Sequence, residues 1–223
     1  MYNEKNTILQ ILKKIDSVHL DIEREIVIVD DCSVDGTRDI LNCLDKNKYK
    51  IIFKEKNEGK GAALRTGFAE AVGDVIIVQD ADLEYDPEDY KIMLEKMREQ
   101  GVEVVYGSRR LHRNYFQERH SGHIFALGGI FLTWLTNILY GIHISDEPTC
   151  YKMFKIILLE DLHLACNRFE FCPEFTAKIA KKGIKIHEVP INYNPRHKAE
   201  GKKINWKDAV EAVWTLVKYK FYG

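Results

Sequence analysis

Residues 75–89 read VIIVQDADLEYDPED, an apolar run that empties into Asp80, Asp82, Glu84 and Asp86. The β-branched run reads as a buried strand, so the acids fall just beyond its end. Asp80 and Asp82 stand two apart and face one side if the backbone stays extended; Glu84 can join them after a turn. Like charges held this close repel and raise each other's pKa. A divalent cation removes that conflict, and carboxylate oxygens completed by phosphate oxygens are the usual shell of Mg2+ or Mn2+. The stretch therefore predicts a metal that carries a diphosphate. Asp86, directly before Pro87 and Glu88, reads instead as an acidic turn that caps the next helix.

A second acidic pair, Asp30 and Asp31, ends the apolar run EIVIVD at 25–30. A carboxylate at such an edge can accept hydrogen bonds from a base or from ribose hydroxyls. The loop NEGKGAALRTG at 57–67 sets Gly59 and Gly61 beside Lys60 and Arg65. The Walker A spacing is missing. Such a loop can still offer backbone N–H groups and positive charge to a phosphate.

The elements that must position these groups alternate. Strands are expected over 25–30, 49–54, 74–79 and 102–107. Helices are expected over 7–18, capped by Asn6 or Thr7, from Thr37, over 60–72, and from Pro87 to a stop at Gly101. This pattern argues for an α/β fold with a mostly parallel sheet and helices on both faces, whose ligands bind beyond the strand C-termini. Apolar residues make up 45% and charged residues 30% of the 223, a globular composition. The formal net charge of −1 gives no pull toward nucleic acid. Five cysteines, odd in number and without C-x-x-C spacing, read as free thiols of a reducing, intracellular setting. The start MYNEKNT has no basic-then-apolar leader.

The second half changes character. No Asp, Glu, Lys or Arg occurs over 120–145, although Ser121, His123, Thr133, Thr136 and Asn137 interrupt the run. A helix over 121–140 is expected, lying on a membrane or packed on the core; its length alone would also allow a span. A helix at 169–183 and a strand at 184–192 follow. A basic stretch then leads into an amphipathic helix over 206–221 that carries Trp206, Val210, Trp214 and Phe221. Its basic, aromatic end suits an anionic membrane surface, and a core-facing stripe would look the same.

Taken in order, YNE (2–4), VDDCSVDGT (29–37), NEGKGAALRTGF (57–68), QDADLEYDP (79–87), YGSR (106–109), ISDEPTCYKMF (144–154), FEFCPEFTAKI (169–179), EVPINYNPR (188–196) and EGKKINWKD (200–208) resemble a known series. The chain resembles the family 2 glycosyltransferases of GT-A fold, and within them the dolichyl-phosphate mannose synthase and polyprenyl-phosphate glycosyltransferase branch. The resemblance runs over essentially the whole chain. It implies a single domain, with a nucleotide-sugar-binding half at 1–107 and an acceptor-side half at 108–223. It implies inverting transfer of a hexose to a polyprenyl or dolichyl phosphate, with GDP-mannose as donor and UDP-glucose as the alternative. Other family 2 reactions, in cell-surface polysaccharide or glycolipid synthesis, also fit.

Carried onto this sequence, the resemblance places Tyr2, Glu4 and Asp31 at the base and ribose and Asp80 near the ribose or sugar. Asp82 would bind the metal, Mg2+ or Mn2+, with Glu84 beside it. Arg109 would meet phosphate, Asp146 would face the sugar or acceptor, and Arg196 and Lys202 would close on the diphosphate. Lys60 and Arg65 complete the donor side. A polyprenyl phosphate is already an anionic nucleophile, so neither Asp146 nor Glu174 is needed as a strong base. Such an acceptor also implies peripheral attachment to the cytoplasmic face of a membrane.

One departure stands out. The family has an apolar strand and a proline before YNE, and here Met1 takes the place of that proline. Loss of a central strand would expose backbone groups on two neighbours. A late start codon is the favoured explanation, with exchange of strands between subunits expected if the shortening is real. Cys32 and Cys150 stand where related sequences often have glycine. Two rival classes remain open: a nucleotidyltransferase on the same kind of sheet, and a non-catalytic module that binds a sugar nucleotide.

Overall fold

The computed structural model describes residues 1–111, 123–196 and 206–222, with the backbone alone at 123–125. Its elements are α1 (Ile8–Ser17), β1 (Val27–Asp30), α2 (Thr37–Asn42), β2 (Lys50–Phe53), α3 (Lys60–Glu70), β3 (Val75–Ile77), α4 (Tyr90–Met97), β4 (Val104–Ser108), α5 (His123–Tyr140), β5 (Lys152–Lys155), α6 (Leu159–Leu162), α7 (Phe171–Lys181), β6 (Ile186–Pro190) and α8 (Trp206–Phe221). Each expected strand and helix is present, most of them shortened at the ends, where fraying and turn chemistry decide the boundary. Thr7 holds the N-cap position of α1, but its hydroxyl donates to Glu4 Oε2 at 2.8 Å instead of capping. Asp86 does cap: its Oδ1 accepts from Glu88 N at 3.2 Å.

The expected mostly parallel sheet is divided in two. Strands β1 and β2 form a parallel pair with Asp30 opposite Phe53. The others form a four-stranded sheet in the order β3-β5-β4-β6. There β5 runs antiparallel to both neighbours and β6 parallel to β4. The break lies between β1 and β3, whose residues Val27, Val29, Val75 and Ile77 line one cavity. Strand β5 had no clear signature in the sequence. Its Lys152 is fully buried, with Nζ donating to the carbonyls of Glu147 and Thr149 at 2.8 and 2.9 Å and lying 3.8 Å from the Tyr106 ring centroid. A satisfied interior lysine hides the strand from a hydropathy pattern.

Alternation along the strands sorts the core into two layers. Val105 and Met153 face α1 and α4, against Ile11, Ile15 and Met93. Val104, Tyr106 and Phe154 face α7, against Phe171, Phe175 and Ile179. A third cluster, Leu132, Ala177, Leu216 and Tyr219, fastens α5 and α8 onto α7. Phe175 is wholly buried and stacks on Phe154 with ring centroids 4.7 Å apart. Phe175→Ala should lower the free energy of unfolding by about 3–5 kcal/mol in urea titrations. A loss under about 1 kcal/mol would mean that this layer repacks freely.

Candidate active site

The carboxylates picked out by the sequence converge where β1, β3 and β4 end, and nearly all meet a cation. Asp31 is 2% exposed and accepts from Glu58 N and Gly59 N, the latter at 2.7 Å, with Lys54 Nζ 3.1 Å away. Its oxygens hold the 57–59 turn in place. The residue after it, Cys32, has a φ of 64°, a backbone that glycine adopts at less cost. Asp30 is buried beneath, paired with Arg38 Nε at 2.8 Å.

The glycine-rich loop does not present a free row of amides. Gly61 N and Ala62 N donate to the carbonyls of Arg168 and Asn167 at 3.2 and 2.9 Å. A Cβ on Gly59 would lie 2.7 Å from Asn167 O, so the glycine permits this close approach. Arg65 also turns to that segment, donating to Cys166 O and, at 2.7 Å, to Asn167 Oδ1. Arg65 does not line the cavity. It fastens the loop to the 166–167 segment. Lys60 points inward: its Nζ lies 2.7 Å from Asp80 Oδ2 and 2.9 Å from Cys150 Sγ. Burial alone would push the Asp80 carboxyl up, but the Lys60 ammonium beside it holds it below the ordinary value.

Arg196 gathers three of the predicted residues. Its guanidinium reaches Glu4 Oε1 at 3.1 Å and Asp82 Oδ2 at 3.2 Å, and its backbone N donates to Glu84 Oε1 at 2.9 Å. Glu84 Oε2 accepts from Tyr193 OH at 2.8 Å. Both Glu84 oxygens are thus engaged in holding the 193–196 segment. Asp82 Oδ1 accepts from Glu84 N at 3.2 Å, across a turn in which Leu83 takes a φ of 63°. A branched residue in that conformation stores strain beside the site. Tyr2 lines the same cavity. Lys202 lies outside the described residues.

On the far side Asp146 is wholly buried and grips Arg109 in a fork, with Nε to Oδ2 and Nη2 to Oδ1 both at 2.7 Å. Glu188 supports it, accepting from Ser145 N at 2.7 Å and Asp146 N at 3.2 Å. Burial would raise the Asp146 carboxyl, but Arg109 outweighs it and holds the group below the usual carboxylate range. Asp146 thereby orients Arg109, whose guanidinium carbon lies 5.0 Å from the Tyr193 ring centroid.

Three further cavity residues were not singled out by the sequence. Arg110 follows Arg109, donates to Ser145 O at 2.7 Å and keeps a buried Nε that has no partner among the described residues. Glu147 is fully buried, one oxygen unpartnered among the described residues; burial, offset by the Lys152 ammonium, leaves its carboxyl pushed up to about 7. Arg168 pairs with Asp208 at 3.5 Å. The adjacency in SDE and SRR was the available signal. Glu174, by contrast, is structural, accepting from Ala165 N and Cys166 N, both at 2.8 Å, and from Tyr219 OH at 2.7 Å.

Among the described residues no three His, Cys, Asp or Glu side chains cluster as a metal cage. The donor set that fits a divalent ion is narrower. Asp82 keeps part of its carboxylate toward the cavity, with side-chain exposure of 21%. One hard oxygen donor suits Mg2+ or Mn2+ when diphosphate oxygens complete the shell.

The sheet edge that carries these carboxylates beyond β1 and β3, and Arg109 with Asp146 beyond β4, is that of an α/β protein. The model of glycosyl transferase family 2 matches residues 1–162, and the chain belongs to that family. It is 28% identical over 208 residues to a dolichol-phosphate mannosyltransferase of Pyrococcus furiosus, covering 90% of this chain and 56% of that protein. It is 28% identical over 173 residues to a low-salt glycan biosynthesis hexosyltransferase of Haloferax volcanii, covering 76% and 40%. The chain thus spans about half the length of these curated relatives. Among solved structures it superposes on glucosyl-3-phosphoglycerate synthase of Mycobacterium tuberculosis in complex with UDP at a TM-score of 0.74 and 16% identity, covering 99% of this chain and 77% of that one. Another structure of that enzyme, with Mn2+ and UDP-glucose, gives 0.72 and 15%, covering 98% and 76%. The fold is GT-A, as the sequence motifs implied.

The Arg109–Asp146 fork makes a pH prediction. The folded-state pKa of Asp146 is depressed, so its contribution is present above the unfolded value of about 3.9 and lost as pH falls through the folded value. Asp146→Asn should cost about 3 kcal/mol of unfolding free energy at pH 7. The deficit should shrink on acidification below about pH 4. A deficit unchanged between pH 7 and pH 3 would rule out the fork as its source.

Proposed function

We propose that this chain transfers a hexose from a nucleotide-diphosphate sugar to a lipid phosphate, with inversion at the anomeric carbon. The observation that carries the reading is the cavity of about 2020 Å³, which joins Asp80, Asp82, Arg109 and Arg196 to Phe131, Trp206 and Val210. Charged groups for a diphosphate and apolar groups for a hydrocarbon chain border one space. UDP-glucose is the first donor to test, because the solved relatives include complexes with UDP and UDP-glucose. GDP-mannose is the second, on the similarity to the Pyrococcus mannosyltransferase.

The geometry supports named roles. Asp82, with the donor's diphosphate oxygens, would hold Mg2+ or Mn2+, which neutralises charge on the leaving nucleotide. The complexes of the mycobacterial enzyme with Mn2+ or Mg2+ favour such a cation. Arg196 and Arg109 add fixed positive charge where charge develops on the departing phosphate. Tyr2 and Glu4 border the nucleotide, and Lys60 sets Asp80 toward the ribose or sugar. A phosphate acceptor attacks as an anion, so the reaction needs in-line placement and exclusion of water more than a base. Glu147 would be the carboxyl to examine if the acceptor were an alcohol.

The apolar border continues outside. Helices α5 and α8 pack together and expose Leu127, Phe131, Trp134 and Ile138 on one, and Val210, Trp214 and Phe221 on the other. Spacings of three, four and seven residues gather each set on one helix face. Such a run of exposed large apolar side chains marks a contact with a lipid surface or a partner. Among the described residues no helix is long and apolar enough to cross a membrane. The exposed apolar side chains of this face fit one that lies in the membrane interface.

Two experiments test these roles. With Mn2+ or Mg2+, a short-chain polyprenyl phosphate and each donor in turn, a lipid-linked hexose should appear by mass with one donor and vanish with chelator. Asp82→Ala should cut that transfer by about 100-fold or more, whereas Asp86→Ala, at an exposed cap, should leave it within about twofold. Equal, small effects of both would remove the metal assignment. Separately, Trp134→Ser with Trp214→Ser should weaken co-sedimentation with phosphatidylglycerol vesicles by about tenfold. Undiminished binding would dismiss the α5–α8 face.

A further inference from the structure

We infer that Cys150 and Cys172 form a redox-active pair on the wall of the cavity, which peroxide closes to an intramolecular disulfide. Cys150 lies two residues before β5, and Cys172 stands in the first turn of α7. Both are free thiols, and both line the cavity. Their side chains are hydrogen-bonded to each other. Cys172 Sγ also donates to the carbonyl of Thr149, the residue just before Cys150, at 3.8 Å. Thiols close enough to share a proton are within reach of a bridge once their side-chain torsions turn, with little movement of the backbone.

The surroundings make one of the two sulfurs a nucleophile. The hydrogen bond from Cys150 holds the Cys172 thiol below its ordinary value against the cost of burial, and the Lys152 and Lys60 ammoniums add to that pull while Asp80 opposes it. The same contact, together with burial, pushes the Cys150 thiol up. The thiolate therefore belongs to Cys172 and the shared proton to Cys150. The position of Cys172 in the first turn of α7 favours the same charge, because a helix N-terminus is the positive end of its dipole. Lys60 Nζ, 2.9 Å from Cys150 Sγ and 2.7 Å from Asp80 Oδ2, joins the pair to the carboxylate cleft. Cys166 is set the other way, burial pushing its thiol up to about 12.

The chemistry balances with hydrogen peroxide as the oxidant. The Cys172 thiolate attacks one peroxide oxygen, so that an S–O bond forms and the O–O bond breaks. The departing hydroxide takes up the proton that Cys172 had released and becomes water. The Cys150 sulfur then attacks the sulfenic sulfur of Cys172, forming the S–S bond and breaking the S–O bond. The second hydroxide leaves as water with the proton of Cys150. Both sulfurs are oxidised, and the peroxide is reduced to water. Closure removes a negative charge from beside Lys60 and Asp80 and ties the segment before β5 to α7.

The test treats the folded 223-residue chain with hydrogen peroxide, alkylates the remaining thiols after denaturation and maps the cysteines by mass. A Cys150–Cys172 link should form about tenfold or more faster than the exposed thiol of Cys43 is lost. Dithiothreitol should restore both thiols. In the absence of oxidant, phenylarsine oxide, which bridges neighbouring thiols, should protect both from alkylation. Cys150→Ser removes the second sulfur, so peroxide should leave Cys172 as a sulfenic acid that dimedone traps, whereas the unaltered chain should give no such adduct. Oxidation of Cys43 first, with Cys150 and Cys172 still open to alkylation, overturns the inference. So does oxidation of the two to separate acids without a link, or an arsenical that protects neither. If Cys150→Ser does not fold, the link and the arsenical decide by themselves. Every readout is a mass, and none depends on sugar transfer.

Discussion

Acidic side chains at the edge of a sheet repel one another, and the architecture around this cleft answers that repulsion. Asp30, Asp31, Asp80, Asp82 and Asp146 crowd the ends of β1, β3 and β4, and Arg38, Lys54, Lys60, Arg196 and Arg109 meet them in turn. Taking one partner from a buried pair leaves an uncompensated charge, which costs more than the pair itself contributes. Each cation also ties a different part of the chain to the cleft. Arg196 is the widest of these ties, since it joins the N-terminal Glu4, the acidic turn at Asp82 and its own segment beside β6. The long-range order of the cleft rests on charge as much as on the two apolar layers beneath it.

Much of this was legible in the sequence, for identifiable reasons. Runs such as VIV and VII announce strands because no polar residue interrupts them, although β3 is only half-buried, and the acids after them announce the ligand edge. The motif series named the GT-A family before any geometry was known. Two kinds of feature stayed hidden. Partner choice was one: Arg65 and Asp31 look like ligand contacts on paper, and both are engaged by the protein's own backbone. Sequence lists the groups at an edge but not how many are already satisfied. Burial of polar residues was the other, as with Lys152 in β5 and Glu147 beside Asp146. Their burial is made possible by carbonyls and hydroxyls scattered through the chain, which no local pattern records.

The cleft also has a division of labour. Beyond β1 the carboxylates are consumed in holding loops, so little of their charge reaches the cavity. Beyond β3 Asp82 keeps an open face. Beyond β4 Arg109 is gripped by Asp146, and Arg110 lies beside it. On the proposed reading, a metal-bearing donor would meet the open face of Asp82.

The chain's three tryptophans, Trp134, Trp206 and Trp214, all sit on α5 and α8, and each is more than half exposed. Intrinsic emission of this protein therefore watches the outer helices, and of the three tryptophans Trp206 lines the cavity that holds the carboxylates. An unfolding curve followed at those wavelengths would date the detachment of two helices, while far-ultraviolet dichroism would date the loss of the strands. The molecule carries its own pair of clocks, and any gap between them would measure how firmly the helical face is coupled to the sheet.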